Sequence, residues 1–140
     1  MLRRLLRERS GSAIIEFGIL APAILTLLLG VLQVGLWMQN YNALRGAAAD
    51  AGRYVAVEYQ KSNQITNIAM ATWAREHASA TYLLDEDRLS TEVVDATNQQ
   101  IAGVTEKTLT INYTMTSILG IAGITNIPVS FSRPIFVKTT

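Results

Sequence analysis

Cysteine is absent from this chain of 140 residues, and its absence limits how the protein can be stabilised and what it can bind. Without cysteine there are no disulfide bonds, no thiolate metal sites and no lipoprotein anchor. A small domain without disulfides depends on its hydrophobic core, or on neighbouring subunits, for its stability.

The chain also lacks a surplus of either charge, and it has only one histidine. Its net charge of +1 provides no basic field, so nucleic acid is not an expected partner. His77 alone cannot form a multi-histidine metal site, and its neighbours do not have the spacing of a catalytic triad. We therefore expect no catalytic residue, no metal and no cofactor, and we expect His77 to be partly buried or at the surface.

One long apolar run near the amino end is what the sequence has instead. Residues 13–38 are almost wholly apolar, and no charged residue occurs in residues 17–44. A helix needs about 20 apolar residues to cross a bilayer, so this run is long enough. Four arginines precede it within the first nine residues, and positive flanks stay in the cytoplasm. Trp37 and Tyr41 occur where the helix should leave the bilayer, which is typical of interfacial aromatic residues.

A cleaved secretory signal peptide is the simplest alternative explanation of this run. Its apolar region would span only about 7–15 residues and would end in small residues at the cleavage site. Here the apolar run is longer, and the small residues around Pro22 come too early. The sequence therefore predicts a single-pass membrane helix with its amino end inside the cytoplasm and the rest of the chain outside.

Two residues of this helix are unusual for an ordinary anchor. Glu16 lies at the start of the apolar run, and a carboxylate inside a bilayer costs about 2.5–3.5 kcal/mol on insertion scales. Pro22 removes the helical hydrogen bond to the Gly18 carbonyl, which predicts a kink, and Thr26 is placed to bond back toward Pro22. Glu16 in an uncleaved anchor would point to the headgroups. We favour a functional role because carboxylates within membranes usually have one.

The residues around Glu16 resemble the processing site of type IV prepilins. Gly11 and Ser12 are followed by Ala-Ile-Ile, then by Glu16 and Phe17. In that family a membrane-embedded aspartic peptidase cuts after the glycine of a short basic leader, and glutamate is the fifth mature residue. The resemblance implies cleavage between Gly11 and Ser12. The new amine on Ser12 would lie four positions before Glu16, and residues at that spacing face one another on a helix.

The wider pattern resembles the TadE-like pseudopilins, which are minor pilins of the Tad (tight-adherence) branch of type IV pili. A proline soon after the glutamate, a Leu-rich run and a helix rich in small residues over 44–54 carry the resemblance, which covers about residues 3–57. Major pilins of this branch are much shorter and usually have Tyr after the glutamate, where this chain has Phe17. Both departures favour a minor pilin over the bulk subunit of the filament.

The resemblance also implies partners, a location and roles for single residues. The partners would be other pilin subunits, the prepilin peptidase, the inner-membrane pilus assembly platform and the lipid bilayer. The chain would be in the bacterial inner membrane with a periplasmic carboxyl domain, or in the surface pilus. Gly11 and Ser12 would be the processing site, Glu16 the assembly charge and Pro22 the helix kink, while residues 17–38 would move from bilayer to filament.

A minor pilin that supports pilus assembly or adhesion is thus the expected function, and the chain would be a substrate rather than an enzyme. One alternative is an uncleaved single-pass scaffold of the same envelope machinery. A second is a membrane-anchored enzyme or ligand-binding module, which would need a convergent polar cluster in a pocket.

Helical spacing continues beyond the apolar run. Five apolar residues recur at intervals of three and four, which predicts an amphipathic helix: Leu44, Ala47, Ala48, Ala51 and Val55. Its expected partner is the domain of the same chain, with a neighbouring subunit as the alternative. Gly46 and Gly52 each cost about 1 kcal/mol of helix propensity, so loosening is expected there. A second helix is predicted over residues 64–78, capped by Ser62 or Asn63. Its expected buried side consists of Ile65, Ile68, Ala69, Thr72 and Trp73.

The final third of the chain alternates apolar and polar residues, as strands do. Strands are predicted over residues 89–94, 107–117 and 127–137, and Pro128 and Pro134 place the last one at a sheet edge. The acidic residues 85–87 are expected in a solvated turn rather than a calcium loop, because they lack the ligand spacing and turn glycine of such a loop.

The apolar link over residues 118–124 is expected to cover the core, with the membrane surface or a partner as alternatives. The predicted fold is α+β and pilin-like: a long amino-terminal transmembrane helix, a second helix and an antiparallel sheet of about three strands. The expected divisions are a leader over residues 1–11, a transmembrane and assembly helix over 12–38 and an extracytoplasmic domain over 39–140.

Overall fold

The structure, a computed structural model, describes residues 10–98, 101–120 and 123–138. These residues form two α-helices, one short 3₁₀ turn and three strands, which confirms the predicted α+β layout. The elements are, in chain order, α1 (Ser10–Gln60), α2 (Asn67–Tyr82), the 3₁₀ turn (Glu86–Arg88), β1 (Leu89–Asp95), β2 (Val104–Thr116) and β3 (Asn126–Lys138).

Helix α1 is a single continuous element of 51 residues. At 1.5 Å per residue it is roughly 75 Å long, far longer than the domain helices of most globular proteins. It continues through Gly46 and Gly52, so the expected loosening there is wrong. Pro22 also lies inside the helix, and the Thr26 hydroxyl donates to the Pro22 carbonyl oxygen at 2.7 Å, as predicted. The kink at Pro22 stays a prediction.

The three strands form one antiparallel sheet in the order β1-β2-β3. The central strand β2 pairs Ile111 with Thr91 on one side and with Phe131 on the other. Strand β3 is therefore an edge strand, as its two prolines predict. Along β2, Leu109 and Ile111 point into the core at about 1% exposure or less, which confirms the predicted alternation.

The core lies between one face of the sheet, the second half of α1 and helix α2. The five apolar residues that the helical spacing of α1 singled out are all at most 1% exposed. They pack against α2 and the sheet of the same chain, so the expectation that this helix packs on its own domain is confirmed. Most of them are alanines, which allow the backbones of packed helices to approach closely.

Helix α2 begins three residues later than predicted and has a different cap. Its N-cap is Thr66, whose hydroxyl accepts a hydrogen bond from the Ala69 backbone N–H at 3.2 Å. Ser62 and Asn63 belong instead to the turn that follows α1, where the Asn63 side chain donates to Glu58 Oε2 at 2.6 Å. The predicted caps are therefore wrong.

The buried side of α2 also differs from the prediction. Met70, Ala74 and Ala78 are at most 2% exposed, whereas Ile68 is 79% exposed. Ala69 and Thr72 are exposed as well, while Ile65 and Trp73 are half-buried against the core. Small alanine side chains let α2 lie close to α1, and this close approach outweighs the hydrophobicity of a single isoleucine.

The acidic residues before β1 form a capped turn, in agreement with the prediction. Asp85 caps the 3₁₀ turn by accepting a hydrogen bond from the Asp87 backbone N–H at 3.1 Å, and the turn is exposed. The apolar link after β2 differs from the prediction. Ile118 and Ile124 are exposed by 38% and 45%, so the expectation that they cover the core is wrong.

Candidate functional site

The first half of α1 extends beyond the domain as an apolar rod. We call residues 13–32 the bare segment, because its large side chains are exposed: Ile14, Phe17, Ile19, Leu27 and Val31 are each exposed by 68–72%. Apolar surface of this extent is not stable in water and marks a membrane or protein contact. The helix is long and apolar enough to cross a membrane. Twenty residues rise about 30 Å, the thickness of the hydrocarbon core.

Glu16 lies at the amino-terminal end of the bare segment and is exposed. The backbone is helical from Ser10 onward, so positions 12 and 16 are one turn apart on the same side of α1. This is the placement that the prepilin resemblance requires of the new amine and the carboxylate. Use of Gly11 and Ser12 as a cleavage site stays a prediction. Residues 1–9, which include the four arginines, lie outside the described residues.

The bare segment ends where Gln33 enters the domain. Gln33 is only 5% exposed, and its Oε1 accepts hydrogen bonds from the Ile118 N–H at 2.8 Å and from the Ser117 hydroxyl at 3.2 Å. A buried amide of this kind is retained when its polar atoms are bonded. Sequence analysis missed this residue, although a lone amide inside an uncharged apolar run was the available signal.

Aromatic residues continue the contact between α1 and the sheet. Trp37 stacks on Tyr41 at a centroid distance of 5.3 Å, and Tyr41 meets the edge of Phe131 on β3 at 5.7 Å. Trp37 itself is 38% exposed. Beyond this point α1 is held by the domain on one face, and we call residues 33–60 the packed segment.

A polar cluster joins the packed segment to α2. Asp50 Oδ2 accepts a hydrogen bond from the Tyr82 hydroxyl at 2.8 Å and lies 3.2 Å from His77 Nε2. The Tyr82 hydrogen bond lowers the pKa of Asp50, with help from His77 and Arg53, while burial acts in the opposite direction. His77 is partly buried, as expected, and it stacks on Trp73 at 4.5 Å.

This cluster contains a carboxylate, an imidazole and a hydroxyl in series, because Thr81 Oγ1 lies 3.4 Å from His77 Nδ1. The distance is long for a nucleophile and its base. Thr81 also lies in the last turn of α2, where the negative end of the helix dipole opposes an oxyanion. The geometry therefore suits a polar contact that holds two helices together better than an active site.

A second polar cluster connects α2 to the sheet. Lys107 is 8% exposed, and its Nζ donates to Asp95 Oδ1 at 2.5 Å and to Asn67 Oδ1 at 2.8 Å. The ammonium of Lys107 lowers the pKa of Asp95, and the Asn67 amide adds to the effect. These contacts satisfy a nearly buried cation at the end of the core.

Neither a metal centre nor a convergent binding pocket is evident within residues 10–98, 101–120 and 123–138. No three side chains of His, Cys, Asp or Glu in these ranges lie together as a metal site would require. An open groove of about 450 Å³ runs between α2 and β1. Two of its charged side chains pair with each other: Arg75 Nε lies 3.6 Å from Glu86 Oε1, and Arg75 Nη2 also donates to the Glu86 backbone carbonyl at 3.0 Å.

Comparison with known proteins finds a likeness in the amino-terminal part of the chain. No curated protein and no solved structure matches the chain. The family model described as TadE-like protein matches residues 11–53, which is under half of the chain. The match runs from Gly11 through the bare segment to the Asp50 cluster, and it is consistent with a protein of Tad pili. Over residues 11–53 this chain is therefore similar to TadE-like proteins, in agreement with the resemblance of its sequence.

Proposed function

We propose that this chain is a minor pilin of a Tad-type pilus, cut by a prepilin peptidase between Gly11 and Ser12. The bare segment holds it in the bacterial inner membrane until assembly and then packs inside the filament. The carboxyl domain lies in the periplasm and supports pilus assembly or adhesion. In this proposal the chain is a substrate of the peptidase and of the assembly platform, and not an enzyme.

The bare segment is the observation that carries the proposal. A helix of full bilayer length projects from the domain, no other element among the described residues covers it, and its side chains are apolar on every side. Such a helix needs either lipid or neighbouring helices around it. A subunit that exchanges a membrane for a filament core requires a helix that both environments accept.

Glu16 gives this exchange a fixed register. A carboxylate near hydrocarbon is costly unless a cation lies beside it. Cleavage after Gly11 produces a positive amine on Ser12, four positions before Glu16. The amine of one subunit can neutralise the carboxylate of the next, so that only one stagger of the stacked helices leaves each charge paired.

Processing is tested by the intact mass and amino-terminal sequence of the protein purified from membranes, with and without its prepilin peptidase. We expect a mature chain that starts at Ser12 and appears only with the peptidase. Gly11→Leu should abolish cleavage. Gly18→Leu is the matched control, because Gly18 lies on the same helix with open space around it. A chain that begins at Met1 under both conditions would refute processing.

Assembly is tested separately by Glu16→Gln. We expect normal cleavage but loss of the chain from sheared pili, because the amine of Ser12 then has no carboxylate to pair with. Glu92→Gln changes an exposed carboxylate on β1 and should leave incorporation unchanged. Equal incorporation of both variants would contradict the assembly role of Glu16.

An uncleaved scaffold of the same envelope machinery is the second candidate. The continuous helix from Ser10 favours it, since an unbroken anchor needs no processing to hold the domain at the membrane. Full pilus function of the Gly11→Leu variant would support the scaffold and refute the processed pilin.

A further inference from the structure

The loop between β2 and β3 has an unusual surface for a loop. We call its described residues, 117–120 and 123–125, the tip. Ile118 and Ile124 are exposed by 38% and 45%, and no charged residue occurs anywhere in residues 117–125. Loops that face water normally have polar residues, so two exposed isoleucines together in a segment without any charge indicate a different surrounding.

The tip is held at a fixed height along α1. Gln33 Oε1 accepts from the Ile118 N–H and from the Ser117 hydroxyl, and Ser117 Oγ in turn accepts from the Leu119 N–H at 3.0 Å. These bonds attach the base of the loop to one turn of the helix. The tip therefore lies at the same depth relative to the bilayer as Gln33.

The length of the apolar run places Gln33 at the bilayer surface. A span of about 20 residues that starts at Ala13 ends at Leu32, directly before Gln33. A span of the same length that starts after Glu16 ends at Leu36, about one turn past Gln33. In the first case the tip touches the interface, and in the second it lies slightly below it.

We propose that the tip is a second membrane contact, which inserts Ile118 and Ile124 into the interfacial layer beside α1. The inference rests on the proposed membrane location of the bare segment. Lipid is the favoured surrounding because the apolar surface is continuous: Leu32 and Leu36 of α1 are exposed by 51% and 37% at the same level. Trp37, the residue after Leu36, has the amphipathic ring typical of this layer.

Two membrane contacts, the helix and the tip, restrict the orientation of the protein more than the helix alone. A single helix can rotate about its axis and slide in depth. A loop attached at Gln33 and seated in the interface fixes both the depth of the helix and the side of the domain that faces the membrane.

The opposite end of the sheet supplies a matched control. Ile101, in the described part of the β1–β2 connection, is 52% exposed, like the isoleucines of the tip. It precedes β2, whereas the tip follows it, and the 13 residues of β2 separate the two ends by about 40 Å. The two loops thus have similar isoleucine exposure but different predicted distances from lipid.

The experiment uses the full chain, which has no native cysteine. Single substitutions Ile118→Cys, Ile124→Cys, Ile101→Cys and Leu25→Cys are labelled with an environment-sensitive nitrobenzoxadiazole dye. Each protein is reconstituted in phosphatidylcholine vesicles, with or without phosphatidylcholine that has a nitroxide near the headgroup or deep in the acyl chain. All four side chains are exposed, so the labels should not disturb the core, and circular dichroism checks the fold.

We expect emission at positions 118 and 124 to shift to the blue and to be quenched most by the shallow nitroxide. Position 25 should be quenched most by the deep nitroxide, and position 101 by neither. Quenching at 25 with none at 118 and 124 would overturn the tip contact and leave the membrane helix intact. Absence of quenching at 25 would refute the membrane location and the tip contact together. Protection at the tip that appears only at high protein-to-lipid ratio would overturn lipid in favour of a second copy.

Discussion

The two halves of α1 are one helix in two different surroundings. The bare segment is covered by no other element of the described structure and has large apolar side chains all around it. The packed segment has a narrow buried face on which half of the buried residues are alanines, with Asp50 and Arg53 beside it. The same secondary structure thus results from two kinds of sequence, because lipid selects for hydrophobicity on every side and a domain selects for shape on one side.

Leucine truncation should show the largest difference between the halves. Leu44→Ala removes a fully buried side chain and should lower the free energy of unfolding by about 2–5 kcal/mol. Leu25→Ala, at 56% exposure in the bare segment, should leave it nearly unchanged. Chemical unfolding of the domain in detergent micelles measures both. Equal losses would mean that the bare segment contributes to the domain.

Introducing a carboxylate should have its larger effect in the bare segment, whereas leucine truncation should have its larger effect in the packed segment. Leu25→Asp should disfavour membrane insertion by about 2.5–3.5 kcal/mol, because a charge at the centre of a span loses its hydration. Val57→Asp, 44% exposed in the packed segment, should have no such effect. Membrane fractionation after alkaline extraction is the readout. Retention of Leu25→Asp in the membrane at the wild-type level would place the span elsewhere.

Two glycines of the packed segment, Gly46 and Gly52, should respond in opposite ways to substitution by alanine. A Cβ on Gly46 would lie 2.5 Å from the Tyr82 hydroxyl oxygen, which is already bonded to Asp50. Gly46→Ala should therefore cost about 1–3 kcal/mol through overpacking. Gly52→Ala meets only the Arg133 side chain at 3.9 Å and should gain up to about 1 kcal/mol of helix propensity. Thermal unfolding of both variants is the test, and a stabilised Gly46→Ala variant would contradict the close contact.

The smallest expected effect concerns charge and pH. Asp50→Asn should cost about 1–1.5 kcal/mol, the difference between a charged and a neutral hydrogen bond from Tyr82. The pKa of Asp50 is lowered from an ordinary value of 3.8, so its contribution is present above that pH and is lost as pH falls through the folded value.

Unfolding at pH 7 and at successively lower pH should show that Asp50→Asn loses part of the acid dependence. Asp87→Asn, in the exposed 3₁₀ turn, is the control. An identical pH profile for Asp50→Asn and the unaltered protein would refute the role of the pair.

Much of the fold follows from local sequence. The apolar run, the alternation along β2 and the prolines of β3 each depend on residues within one element. The structure confirms the long apolar helix, the alternation and the edge position of β3, whereas insertion of the helix in a membrane with its amino end in the cytoplasm stays a prediction. Helix α2 shows the limit of such reasoning. Its hydrophobic pattern points to Ile68, but the side that faces the packed helix and the sheet is formed by Met70, Ala74 and Ala78. A prediction from hydrophobicity alone does not include the space that a neighbour leaves.

Of the candidate site, too, only the part that depends on local sequence could be predicted. Gly11, Ser12 and Glu16 could be predicted as a site because their spacing along one helix is itself the signal. The family match includes these positions, and their roles stay a prediction. The contact of Gln33 with the sheet could not be predicted, since its partners Ser117 and Ile118 are more than 80 residues away in sequence. The contact of Asp50 with Tyr82 was missed for the same reason.

By itself the sequence determined that a helix of bilayer length begins near Glu16, because hydrophobicity and charge along a single helix need no tertiary partner to be read. It also determined the face of α1 that packs on the domain, through the spacing of its alanines. Only the tertiary structure decided where the bare segment ends, which face of α2 is buried and that the tip points outward. These depend on contacts between distant segments, and burial is a property of the neighbours as much as of the residue.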